Sequence, residues 1–456
     1  MNLANLWSLR LGFSTAQSAY INEHGLEQYL VDSFNHEADV SLPSILKELP
    51  TDYQAINARR KEINNLPGEE KTLKRRADRE LNKELMFWWI AKMRSTPFPL
   101  RENMVCFWHN HFVASQDKVQ YPVWLFEHHI ILHEHATGNL KTLTKAIVKS
   151  NAVIHYLDNQ KNKKNAINEN LGRELLELFT LGIGNYSEAD VKNAAFALAG
   201  LGYGTAYGSY RKSQRYTEQI TFLGKKGSFD IDDIIDIIFE HPNAPYLVTS
   251  KIIQWFIQDS PTDSDVKKYG DYLREQNYEL QPLLTKLFLD FSKRDVVGAK
   301  IKNPLQFALQ TINSLQLQET VSDEAIYKFI RDQSMELYKQ PNVKGWEGGN
   351  AWLTTAIYMQ RNQVADMLCN GKMQYNGKNN TGMKKQLHLE IPKELTTNKE
   401  VINHLTETNL TLVNDEIQKD LEAILKHDFK PHEPGSELGI LRAFQYIITI
   451  PEYQVL

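Results

Sequence analysis

The amino-acid sequence predicts a mainly α-helical fold, and three observations carry that reading. Apolar residues recur at three- and four-residue steps from one end of the chain to the other, the spacing of a buried helix face. Strict alternation of apolar and polar residues between turn residues, the mark of a half-buried strand, is rare and short. The 456 residues are 42% hydrophobic and 24% charged, an ordinary globular composition that argues against a disordered, collagen-like or membrane-spanning chain.

The elements follow in order. Residues 69–94 form a long helix, charged at its start and apolar toward Met86, Phe87, Trp88 and Trp89, so its end should dock into a core. Pro97 and Pro99 break the chain, and helical spacing resumes over 101–113, because a proline removes a backbone donor and disfavours helix before it. Helices are expected at 124–136 and 139–157, then an exposed loop at 158–166. A helix at 168–181 stops at Gly182 and Gly184, and another covers 187–201. The Gly/Tyr/Ser-rich stretch 202–230 reads as loop, with a small hairpin expected near 203–224. Further helices are expected at 231–241, 243–258, 263–276, 279–290, 300–315, 322–338 and 350–368. The organisation expected is a main helical body over 1–370, a polar linker or flap at 371–397, and a C-terminal helical unit over 398–456 packed against it.

Charge and targeting signals narrow the function classes. Lys and Arg total 52 against 56 Asp and Glu, a net charge of −4, so no global field attracts a polyanion and nucleic acid is not the expected partner. The basic run Lys71 to Arg79 is interleaved with Asp78 and Glu80 and reads as a solvated helix face. Cys106 and Cys369 are too few for a disulfide framework or thiolate cluster and suit a reducing compartment. The first residues lack a basic stretch followed by an apolar core, and no window approaches the roughly 18 apolar residues of a membrane helix. A cytoplasmic location without a membrane span is the expectation as written, periplasmic or envelope if the sequence was trimmed.

Three constellations bear on chemistry. In Asn168-Glu169-Asn170-Leu171-Gly172-Arg173-Glu174-Leu175-Leu176-Glu177-Leu178, a helical wheel places Glu169, Asn170, Arg173 and Glu177 on one arc, a charge ladder whose ordinary role is a solvated face. Glu174 falls in the opposite, apolar arc, where a carboxylate is costly unless paired, protonated or metal-bound. In Cys106 to Phe112, His111 lies on the apolar stripe of a helix with Phe107 and Trp108, while His109, one position removed from it, points about 200° away. Both histidines are candidate acid/base groups or, with Glu174, candidate ligands of a divalent metal. Two core histidines satisfied by packing are the simpler alternative. In Pro341 to Trp352, glycines flank Trp346 ahead of a helix start; the loop either plugs the core or presents an indole that stacks on a sugar ring. No phosphate-cradling glycine loop and no nucleophile elbow occurs.

Phe107-Trp108-His109-Asn110-His111-Phe112, Tyr156-Leu157-Asp158-Asn159, Asn168-Glu169-Asn170 with Arg173-Glu174 and Glu177-Leu178, Gly182 and Asp190-Val191 follow one another at characteristic spacing. With Phe222-Leu223-Gly224, His241-Pro242, Lys302-Asn303-Pro304, the Pro341 to Trp352 loop and Pro451-Glu452-Tyr453-Gln454, they resemble the bacterial domain of unknown function (DUF) 1800 family over nearly the whole chain. The resemblance implies no established activity. Relatives are often exported, and their genes lie beside those of sulfatase-like proteins, which implies envelope or polysaccharide processing and a sulfatase-like protein partner. Where relatives often carry a His-Asp pair before the Phe-Leu-Gly step, this chain has Arg215-Tyr216; if that pair were catalytic in the family, this member would be altered.

The function expected is an enzyme of hydrolase or lyase type acting on a glycan or similar polar substrate. Glu174, His111, His109, Arg173 and Glu169 are its candidate catalytic residues, and Asn168, Asn170, Glu177, Trp346 and Trp108 its candidate substrate contacts. The competing expectation is a non-catalytic binding or assembly protein in which the same groups form a buried structural network.

Overall fold

The computed structural model describes residues 2–37, 41, 43–47, 49–369, 374–375, 378–379, 391–426 and 429–456. Among these, twenty α-helices account for most of the chain, as the periodicity requires. The expected flap at 371–397 lies largely outside the described residues.

The helix expected at 69–94 spans Gly68–Ser95. Its apolar end docks as expected, with Leu85, Met86, Trp89, Ile90 and Met93 buried, whereas Phe87 and Trp88 pack against the core only in part. After the proline break, Leu100–His111 is buried on every side except at Arg101 and Asn110. Next comes Pro122–Glu134, opened by Pro122 at its first turn, where a missing N–H costs nothing.

The structure departs from the sequence expectation in four places, each for a local reason. The helix expected at 139–157 breaks into Leu140–Val148 and Asn151–Tyr156, because the Ser150 side chain accepts from the backbone N–H of Val153 and starts a new helix. The helix expected at 322–338 ends at Asp332; Ser334 and Tyr338 both adopt left-handed backbone, at φ 64° and 57°. The stretch 202–230 holds two antiparallel hairpins instead of one, Leu201–Gly202 with Ser209–Tyr210 and Ile220–Phe222 with Lys225–Gly227. The fourth departure lies in the Asn-Glu-Asn segment. There a short α-helix, Asn170–Glu174, passes into a π-helical turn, Leu175–Thr180.

Gly172 explains how this segment sits so deep. A Cβ there would lie 3.2 Å from the backbone N of Ala195 and O of Val191, so any larger residue would have to push the Glu188–Leu198 helix back by a few tenths of an ångström.

The C-terminal stretch forms Asn398–Asn409, Asp415–Ile424 and Ser436–Thr449. The last of these packs on Thr355–Cys369, and its apolar residues belong to the same continuous core as those of the N-terminal helices. The chain end is tied in by polar contacts: Lys302 N–H donates to the Gln454 carbonyl at 2.9 Å, and the buried Arg361 guanidinium donates to Gln454 Oε1 at 3.0 Å. Cys106 and Cys369 are both buried as free thiols. No helix among the described residues is long and apolar enough to cross a membrane.

Candidate functional site

The helix Leu100–His111 sends its two histidines in opposite directions. His109 is buried with Nε2 3.2 Å from Nδ1 of His129 on the Pro122–Glu134 helix. The Tyr338 hydroxyl reaches the same His129 nitrogen at 3.0 Å. Beside them, Trp89 Nε1–H donates to Glu102 Oε2 at 2.8 Å, and Glu102 Oε1 lies 3.2 Å from His133 Nε2. Burial holds His109 and His129 well below the ordinary imidazole range, and their histidine neighbours push the same way. His128 drops to about 3 through burial. His109, His128 and His129 are therefore neutral near pH 7, buried against one another and against Trp89 and Tyr338.

His111 faces the π-turn. In that turn the Leu181 and Gly182 N–H groups both donate back to the Leu176 carbonyl, leaving the carbonyls of Leu178 and Phe179 without helical partners. His111 Nε2 lies 3.0 Å from the Phe179 carbonyl, and Lys251 Nζ donates to the Leu178 carbonyl at 3.0 Å. Lys251 Nζ is also 3.2 Å from His111 Nδ1. A carbonyl only accepts, so in the neutral ring Nε2 carries the proton and Nδ1 accepts from the lysine. Burial depresses the His111 pKa, the Lys251 charge depresses it further, and the Phe179 carbonyl opposes both. Burial also lowers Lys251 to about 8.

These two groups open onto a cleft of about 390 Å³. Phe107, Asn110, Gln254, Trp255, Asp259, Lys300, Trp346 and Trp352 line it, with Lys344 and Glu347 at its exposed rim. The Gly345 turn locks the wall: its φ is +86°, and a Cβ would come 2.2 Å from Asn110 Oδ1, so only glycine fits. The next N–H, that of Trp346, donates to the same Asn110 oxygen at 2.5 Å. Across the cleft, Lys300 Nζ lies 3.4 Å from Asp259 Oδ1.

Several candidate residues fall elsewhere. Trp108 is fully buried, and its indole donates to the Ala136 carbonyl at 2.8 Å, which leaves it no face for a substrate. Trp346 is only 5% exposed and lines the cleft as part of its wall; of the two alternatives the loop offered, the packed one is seen and its indole does not stand out into solvent. Arg173 turns outward, its guanidinium 2.7 Å from Glu188 and 3.3 Å from Glu169, so of the expected ladder Glu169, Arg173 and Glu177 only the first rung forms and Glu188 takes the other side. Glu177 accepts from the Tyr186 hydroxyl at 3.0 Å. Asn168, in the turn ahead of the short helix, accepts from the Asn170 N–H at 3.0 Å, and Asn170 is exposed.

Glu174 is half-buried, not sealed among leucines, because the π-turn abandons the 3.6-residue period on which the wheel rests. Burial and then Glu177 raise its pKa, while Arg173 and Lys344 lower it. Since Lys344 stands at the cleft rim, this carboxylate contributes to the field at the mouth. No described hydrogen bond or ion pair joins it to His109 or His111, and among the described residues no group of three or more His, Cys, Asp or Glu is arranged to hold a metal ion. The three candidate ligands therefore do not converge. Arg215 lies over the Tyr210 ring at 4.6 Å and Tyr216 stacks on Phe196 at 4.4 Å; neither lines the cleft.

The sequence reading missed Lys251. It sits four residues before Trp255 and three after Val248, on the buried side of the Tyr246–Phe256 helix, so the test applied to Glu174, a charge inside an apolar arc, would have found it.

No curated protein and no solved structure matches the chain. The model of a family described as "Protein of unknown function (DUF1800)" matches residues 6–455. The motifs that line the cleft and shape the π-turn are the ones that carried the resemblance, and the chain belongs to the DUF1800 family over essentially its full length.

Proposed function

We propose that the cleft between His111, Lys251 and the Gly345-Trp346 loop is the active centre of an enzyme of hydrolase or lyase type acting on a small polar substrate, a sugar unit among them. The single observation behind this reading is the chain running from the Phe179 carbonyl through neutral His111 to Lys251, held on a π-turn and ending at a cleft. π-turns frequently mark functional sites. An amine titrating at about 8 is suited to proton transfer near neutral pH. In this reading Lys251 is the acid/base group, His111 positions it by accepting one of its protons, and Glu174 and Lys344 set the charge at the mouth. The buried His109 cluster supports a different role, a structural polar network, for the other half of the same motif.

Thermal unfolding against a panel of small sugars and polar carboxylates tests the cleft. A ligand present at about 100 times its Kd adds about 2.7 kcal/mol to stability. The rise should appear in the wild type and vanish in Gln254→Trp, which fills the cleft from an exposed helix position. An equal rise in that variant would place binding elsewhere and defeat the reading.

A further inference from the structure

Lys251 has more bonding capacity than its partners use. Its two hydrogen bonds, to His111 Nδ1 and the Leu178 carbonyl, account for two of three protons of the ammonium, or for both protons of the neutral amine. The third direction has no described protein partner, and the side chain lines the cleft. In the neutral form that direction holds the nitrogen lone pair. The fixed carbonyl and imidazole acceptors orient the amine from behind, and the walls of Phe107, Trp255 and Trp346 lower the polarity around it. A desolvated lysine so placed is the usual source of an amine nucleophile.

We infer that Lys251 forms a covalent imine with the carbonyl carbon of an aldehyde or ketone substrate, which makes small carbonyl compounds the substrate class of this cleft. The inference rests on the proposed role of the cleft as the active centre and makes Lys251 its nucleophile in place of its acid/base group. The amine lone pair attacks the carbonyl carbon, the C=O π pair moves to oxygen, and a carbinolamine forms. The C–O bond then breaks, and two of the three protons of the original ammonium leave with that oxygen as water. The third remains on the imine nitrogen, within reach of the His111 Nδ1 lone pair. No oxidant, reductant or further reactant is needed.

Reductive trapping tests this on the whole protein. Glycolaldehyde and sodium cyanoborohydride are added at pH 7.5, and peptide mass spectrometry measures the two-carbon adduct at each lysine over time. The expected result is labelling of Lys251 at least fivefold faster than the exposed Lys344, despite its burial, with that advantage lost in Gln254→Trp. Lys251→Arg, which removes the amine and keeps a positive charge, should lose the adduct at this position and still melt cooperatively. Labelling of Lys251 no faster than Lys344 would overturn the imine; if ligand-induced stabilisation through the cleft persisted, the active-centre reading would still stand. Rapid labelling of Lys251 that Gln254→Trp left unchanged would show access by another route and overturn both.

Discussion

His109 and His111 stand two residues apart on one helix and belong to different worlds. On one side His109, His128, His129 and His133 pack with Trp89, Glu102 and Tyr338, all buried. On the other, His111 spends its two nitrogens on a π-turn carbonyl and on Lys251 at the wall of a cleft. Both imidazoles are buried and neutral, so neither burial nor a shifted proton affinity separates structure from function. What separates them is the far side of the hydrogen-bond chain. One chain closes on other core groups, and the other ends at an amine facing open space.

The difference can be broken first with acid. Histidines whose folded pKa is depressed leave the unfolded chain binding more protons below about 6.5, so stability is full above that pH and falls as the pH drops toward the folded values. For His109, His128 and His129 together the slope approaches roughly 4 kcal/mol per pH unit below pH 6, at about 1.4 kcal/mol per proton. Denaturant melts between pH 7.5 and 5 should show it, with His128→Phe removing about a third and Lys251→Met leaving it nearly intact. A comparable loss in Lys251→Met would erase the distinction between the two regions.

Next in size is Glu102→Ala, which strips the carboxylate from Trp89 and His133. Trp89 and His133 would each lose a buried polar partner, at about 1–3 kcal/mol apiece, and urea melts should show that loss while the reactivity of Lys251 stays unchanged.

Lys251 itself works in the alkaline range. Its folded pKa of about 8 lies below the ordinary 10.5, so the unfolded chain holds the extra proton between these values and stability rises with pH across them. Relative to Lys251→Met, the wild type should gain roughly 3 kcal/mol from pH 8 to 10.5, at about 1.4 kcal/mol per unit. The smallest effect is expected at Arg173→Ala, whose solvent-exposed ion pairs amount to less than about 1 kcal/mol.

The helical class was legible because apolar spacing survives tertiary context, and the Gly182 stop and the Pro97 to Pro99 break appear where turn chemistry puts them. The π-turn was not, since nothing in Leu175 to Thr180 announces an i to i+5 ladder until His111 and Lys251 arrive from distant helices to satisfy its carbonyls. Without that change of period Glu174 looked sealed, whereas it is half-buried and the charged group set among apolar neighbours is Lys251. His111 was singled out as an acid/base or ligand candidate beside Glu174; the contacts it makes are with the Phe179 carbonyl and the Lys251 amine.

The most direct measurement is an NMR titration of the protein with lysine labelled at Cε, the Lys251 signal being assigned by its loss in Lys251→Arg. The expected midpoint lies near 8, and it should move further down when Gln254→Trp closes the cleft to water, because excluding water disfavours the ammonium. A midpoint at the ordinary lysine value of about 10.5 would mean an amine free in solvent, and the site built on it would not exist.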